Sequence, residues 1–209
     1  MSQGRSLFKG PLFVVIVLAG IVAGLVGSVF AVAGIALGLR DAVKPTGTVQ
    51  TIRAVGTVAE SMTIETGAMD GHPGWPRYTN AFWSVRAGQS VVLRITSYDT
   101  GTAPPGGVQT MFDAVSGTVS GTETVDGKAV HFVANTQIAH TFTVVGLGLN
   151  LPIPAAPAGG SVTVTARFVA QRTGTFVWQC YAPCGSGARS MGGAMATMGW
   201  MEGRIHVLS

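Results

Sequence analysis

Residues 174–207 read GTFVWQCYAPCGSGARSMGGAMATMGWMEGRIHV, and both the fold and the chemistry of the chain hang on this stretch. Gly174 to Gln179 is a short β-branched and aromatic run opened by a glycine, which reads as a strand. At its end stands Cys180, with Cys184 four residues on in the loop that follows. Four methionines come next, Met191, Met195, Met198 and Met201, and then a closing strand in which Ile205 and Val207 fall on one face. A C-x-x-x-C spacing is a weak signal alone. Thiol, thioether and imidazole together, the last from His140 in IAHTFTV, make a soft ligand set of the kind that selects copper.

Outward from this stretch, the chain after residue 48 shows short β-branched runs punctuated by Gly and Pro, and no sustained 3.6-residue apolar period of helical length. The pattern predicts strands at Val49 to Val58, Ala81 to Val85, Ser90 to Tyr98, Ala129 to Val133, Ala139 to Val145, Gly160 to Ala170, Gly174 to Gln179 and Gly203 to Leu208. Eight such strands fit an all-β Greek-key sandwich or barrel. Between Thr100 and Lys128 a Gly/Thr/Pro-rich stretch predicts a long loop or an added hairpin at one edge, turning at Asp126-Gly127.

In these residues the chain resembles the cupredoxins, and within them the dinuclear copper (CuA) domain of haem-copper oxidase subunit II. That family's loop is C-x-E-x-C-G-x-x-H-x-x-M, and Cys180, Cys184, Gly185 and Met191 fall on its Cys, Cys, Gly and Met positions. Gly174 and Phe176 fit the strand before the loop, His140 and Phe142 fit the family's His-x-Phe strand, and LRITSYD, Leu93 to Asp99, fits the segment preceding it. The resemblance covers roughly Phe82 to Val207 apart from the stretch inserted after Asp99, and implies a copper centre held by His140, Cys180 and Cys184 with Met191 as a weak axial ligand.

Two positions depart from the pattern. Ala188 stands where the family has its second histidine, and Ala182 where a glutamate lends a backbone carbonyl. An alanine keeps the carbonyl and loses the imidazole. His206 is no substitute, because it alternates with inward-facing Ile205 and Val207. Three arrangements stay open: an altered CuA-like or mononuclear copper centre, a metal-free domain whose cysteines are a disulfide or buried thiols, and a methionine cluster that hands over Cu(I) as a carrier does. Met201 is a rival axial ligand, since Met201-Glu202-Gly203-Arg204-Ile205 has the form that follows the axial methionine in mononuclear cupredoxins. Met195 and Met198 read as gap fillers, His72 as a solvated loop residue, and His131 is unassigned.

The N-terminal part has a different character. The chain of 209 residues is 47% hydrophobic and 11% charged, and from Pro11 to Leu39 it carries no charge at all. That run exceeds the ~20 apolar residues needed to cross a bilayer and the roughly 7–15 of a signal peptide's apolar region. It predicts one transmembrane helix after a short tail (1–10), joined by a linker (40–48) to the β domain (49–209). Gly20, Gly24, Gly27, Gly34 and Gly38, with Ala31, fall on one helix face, a small-residue stripe suited to close packing against a partner helix. Arg5 and Lys9 before the span balance Arg40 and Lys44 after it, so charge alone does not orient it. The size of the domain and the implied function favour a single pass in the plasma membrane with the domain outside.

Two of the 13 basic residues precede residue 40, leaving 11 basic against 9 acidic in the rest, a balance with no footprint for nucleic acid. No Ser/His/Asp set, phosphate loop or carboxylate pair supports a hydrolase or nucleotide enzyme. The expected role is an electron-transfer subunit without bond-breaking activity of its own. It would take electrons from a soluble donor and pass them to the other subunits of a respiratory oxidase. The alternatives are a metal-free structural subunit of a quinol-type oxidase and a copper carrier.

Overall fold

Residues 56–186 and 193–209 are described by the structure, a computed structural model. The predicted span Pro11 to Leu39 and its glycine stripe lie outside them. Among the described residues no helix is long and apolar enough to cross a membrane.

Among the described residues eleven strands run in chain order: β1 Thr57–Glu65, β2 Arg77–Tyr78, β3 Phe82–Arg86, β4 Ser90–Ser97, β5 Glu123–Val125, β6 Lys128–Val130, β7 Ile138–Val144, β8 Leu149–Pro154, β9 Val162–Val169, β10 Gly174–Gln179 and β11 Glu202–Leu208. They form a six-stranded sheet of order β2-β1-β4-β9-β5-β6 and a five-stranded sheet of order β3-β11-β10-β7-β8. Alternation decides which side chains face inward. In β9 Val162, Val164, Ala166 and Phe168 are buried while their neighbours are not, and in β11 Gly203, Ile205 and Val207 are.

The sequence under-counted the strands. Leu149–Pro154 contains two prolines, which remove ladder donors, yet β8 is an edge strand that pairs only with β7 within its sheet, where proline is tolerated. β1 runs Thr57–Glu65 in parallel register with β4, Thr57 opposite Ser90 and Ile64 opposite Ser97; the sequence predicted a strand over Val49 to Val58, of which residues 49–55 lie outside the described residues. The strand predicted to reach Val133 ends at Val130, and Phe132 forms an isolated bridge with Ala114 instead. The expected added hairpin is present: β5 and β6 pair at the edge of the larger sheet, and Asp126 and Gly127 both take positive φ, 48° and 81°, as a two-residue hairpin turn requires.

An aromatic group anchors the core beneath the 174–207 segment. Trp178 stacks on Phe142 with ring centroids 5.2 Å apart and meets Tyr78 edge-on at 4.9 Å, and its indole N–H donates to the Ala81 carbonyl at 3.0 Å. Gly203 lies where a β-carbon would strike that carbonyl and the Trp178 indole, so this close approach needs glycine.

Candidate metal centre

β7 and β10 are neighbours, with Thr143 opposite Gln179, so the end of one strand brings Cys180 beside His140 on the other. A register shift between Ile138 and His140 breaks the even alternation of β7 one residue before the imidazole and re-aims it. The Cys180 N–H donates to the Met201 carbonyl at 2.9 Å, which pins the start of the loop to the residue before β11.

The result is a buried group of three. His140 Nδ1 is 3.9 Å from Cys180 Sγ, Cys180 Sγ is 3.7 Å from Cys184 Sγ, and the three ligand atoms all lie within 4.8 Å of one another. The two sulfurs are unbonded thiols, their separation well beyond the ~2.05 Å of a disulfide. It also equals the spacing of two thiolates each about 2.3 Å from a shared ion at a near-tetrahedral angle. By donor chemistry and spacing, His140, Cys180 and Cys184 fit a soft metal ion such as copper.

Groups around the three orient them. Asp99, two residues past β4, accepts from His140 Nε2 at 3.0 Å, which leaves Nδ1 facing the sulfurs. The Thr141 N–H donates to Cys180 Sγ at 3.4 Å, and the Ala182 carbonyl lies 3.4 Å from the same sulfur. The carbonyl expected at Ala182 is therefore present despite the missing glutamate. The Tyr78 hydroxyl donates to the Thr141 carbonyl at 3.1 Å from beneath.

Electrostatics follow from this packing. Burial alone would push the His140 imidazolium down, but the Asp99 hydrogen bond and the Cys180 sulfur outweigh it and hold its pKa up at about 9. Burial also opposes charge on Cys180, yet hydrogen bonds from Cys184, His140 and the Thr141 amide pull that thiol well below its ordinary value. The Cys180 sulfur beside it, aided by burial, pushes Cys184 up. Burial resists ionisation of Asp99 too, and the bond to His140 overcomes it and lowers the carboxyl. A cation binding there competes with the protons that these three groups carry and displaces them.

The other sequence candidates are placed as follows. Met191 and Ala188 lie outside the described residues. Met201 is fully buried and contributes the carbonyl that holds Cys180. Met195, read as a gap filler, places its sulfur 3.4 Å from the Cys184 N–H, which donates to it. His206 points outward to Thr175 Oγ1 at 3.0 Å, as its alternation predicts. His131 is exposed and bonds the Gly121 carbonyl, away from the group. His72 is exposed yet packs edge-on against Trp200 at 4.8 Å. Beside the centre a cavity of about 560 Å³ opens between Asp99, Thr102, Ala139, Pro183, Cys184 and Ser186.

A two-sheet β-sandwich with a buried His/Cys/Cys group at the junction of its β7 and β10 strands is a cupredoxin-like domain. No protein-family model and no curated protein matches the chain. Solved structures similar to it include rusticyanin from Thiobacillus ferrooxidans, at 15% identity over 78% of this chain and 86% of that one, with a TM-score of 0.36. Reduced rusticyanin is similar at 15% identity over 78% of this chain and 88% of that one, with a TM-score of 0.36. A chain of a heme-copper terminal oxidase dimer is similar at 13% identity over 90% of this chain and 97% of that one, with a TM-score of 0.33.

Proposed function

We propose that this chain is a membrane-anchored, copper-binding electron-transfer subunit, in which His140, Cys180 and Cys184 hold the metal. The observation that carries the reading is the buried imidazole and thiol pair, already oriented by Asp99 on the outer nitrogen of His140. Copper bound there supplies one-electron transfer in which no bond to a substrate is made or broken.

The chain's own residues do the rest. Asp99 fixes the His140 tautomer, with the proton on Nε2 and the lone pair on Nδ1. Thr141 donates to Cys180 and withdraws charge from the sulfur, and the pairing of β7 with β10 would keep His140 and Cys180 in place whichever charge a bound ion carries. Met191 is the proposed weak axial ligand and Met201 the alternative. A CuA-like centre would hold two copper ions at these residues and a mononuclear one a single ion, which copper content decides.

In the wider reading Pro11 to Leu39 anchors the chain once in the plasma membrane with the domain outside. Gly20, Gly24, Gly27, Gly34 and Gly38 pack against a helix of a haem-copper oxidase, to which electrons pass from a soluble donor. This part rests on the apolar run and the stripe alone.

The test is copper content, electron paramagnetic resonance and visible absorption of the full chain in detergent. Bound copper with intense sulfur-to-copper absorption, lost in Cys180→Ser and weakened in His140→Ala, is expected. Copper-free protein with Cys180 and Cys184 linked would overturn it, and leave a structural cap of a quinol-type oxidase as the role.

A further inference from the structure

A row of buried hydrogen bonds ties the stretch inserted between Asp99 and His140 to the residue that follows Cys180. Asn150 of β8, 6% exposed, donates from Nδ2 to the Phe112 carbonyl at 2.9 Å and the Ala114 carbonyl at 2.7 Å. Two carbonyls on that side fix the amide orientation, so Oδ1 is the acceptor and takes the Thr143 hydroxyl at 2.6 Å. The same hydroxyl lies 3.0 Å from Thr141 Oγ1. Thr141 Oγ1 in turn accepts the Tyr181 N–H at 2.9 Å, while the Thr141 N–H donates to Cys180 Sγ.

The Thr143 hydroxyl has one hydrogen and two acceptors within reach, and the shorter contact is to Asn150. Asn150 thereby draws that hydrogen away from Thr141 and leaves Thr141 Oγ1 to hold the Tyr181 amide. In a dry interior the competition has no water to relieve it, since Thr141 and Thr143 are 0% and 4% exposed. Without Asn150 the hydrogen turns onto Thr141 Oγ1, the Tyr181 N–H loses strength there, and the Thr141–Tyr181 clasp around Cys180 loosens.

We propose that Asn150, which is not a ligand, is a positioning residue for Cys180: it steers the Thr143 hydrogen and so keeps the Thr141 hydroxyl oxygen for the Tyr181 amide. The copper arm of its test rests on the function proposed above, and the copper-free arm does not. In the copper-free, isotope-labelled full chain, Asn150→Leu moves the Tyr181 amide proton upfield. In the copper-loaded chain it lowers the reduction potential, because the loosened Thr141–Tyr181 clasp lets the Thr141 N–H draw back from Cys180 Sγ, and a weaker donor to that sulfur disfavours the reduced metal.

Thr143→Val removes the misdirected hydrogen, so alone it leaves both signals near wild type, and combined with Asn150→Leu it restores them. Asn150→Ala, which removes the same acceptor with a smaller side chain, is expected to give the same upfield move and keeps the idea testable if the leucine variant does not fold. A double variant that departs further than Asn150→Leu alone, or an amide unmoved by Asn150→Leu, would overturn the proposal. A chain that takes up no copper while the amide follows this pattern sinks the proposed function and leaves the positioning role standing.

Discussion

Replacing Glu123 by Gln should flatten the pH dependence of stability. Glu123 opens β5 with its side chain turned inward, 1% exposed, and among the described residues neither carboxyl oxygen has a hydrogen-bond partner. Burial pushes its carboxyl from an ordinary 4.5 up to about 9. Between those values the folded chain keeps a proton that the unfolded chain gives up, so stability falls as pH rises through the window. At about 1.4 kcal/mol per unit the loss reaches about 3 kcal/mol near neutral pH and about 6 kcal/mol at the top of the window. The β5–β6 hairpin lies at the sheet edge, and its local opening to solvent caps the loss below that figure.

Glutamine has the shape of the protonated acid and no proton to lose. Glu123→Gln is expected to match the wild type near pH 5 and to exceed it near pH 8 by about 2–4 kcal/mol, or about 5–15 °C in Tm. The assay is thermal unfolding of the copper-free full chain, followed by tryptophan fluorescence across that range. His140, raised to about 9, adds stability that is full below its ordinary 6.5 and gone above 9, a change of the same sign that cancels in the comparison because both chains carry it. Parallel Tm curves for the two chains would refute the buried-proton reasoning.

Asp99→Asn should lower the His140 pKa, because burial then acts without the carboxylate, and an NMR titration of the copper-free chain reads this directly. The same variant is expected to weaken copper binding about 10–100-fold, measured by competition with a chelator. Gly203→Ala should destabilise by about 1–3 kcal/mol in denaturant unfolding, since the added methyl meets the Ala81 carbonyl and the Trp178 indole. Met191→Leu is expected to leave copper bound and raise the reduction potential, read by redox titration. Gly24→Leu or Gly34→Leu should leave the chain in the membrane and weaken its association with partner helices on native gels.

Where the sequence could be read, one local rule governed the segment. Gly174–Gln179 was bounded correctly because a glycine opens it and cysteine chemistry closes it, and the Asp126-Gly127 turn because only a few residues tolerate its backbone. β8 was invisible because its prolines forbid a central strand and nothing in the sequence says that it lies at an edge. β2, two residues long, exists only as a partner to the end of β1.

That His140, Cys180 and Cys184 come together as one group is legible through their resemblance to a motif. Asp99 stands in the matched segment LRITSYD, but its bond to His140 spans 41 residues and no local pattern announces it. Asn150, Tyr78 and Met195 act through contacts that only the packed sheets create. For Met195 the flexibility that makes methionine a good filler hid a specific hydrogen bond to Cys184.

The smaller sheet also dictates an order of events. Its edge strand β3 comes early in the domain, yet it pairs in parallel with β11, Phe82 opposite Arg204 and Arg86 opposite Leu208, and the Ala87 N–H reaches back to the Leu208 carbonyl at 2.7 Å. Such distant partners make folding slow. Until residue 208 has left the ribosome, β10 lacks its long neighbour, Cys180 lacks the Met201 carbonyl, and the cysteine loop has no floor. A nascent chain therefore presents its two thiols unprotected, and oxidation or capture by the wrong ion has its opening during synthesis, before the last strand docks.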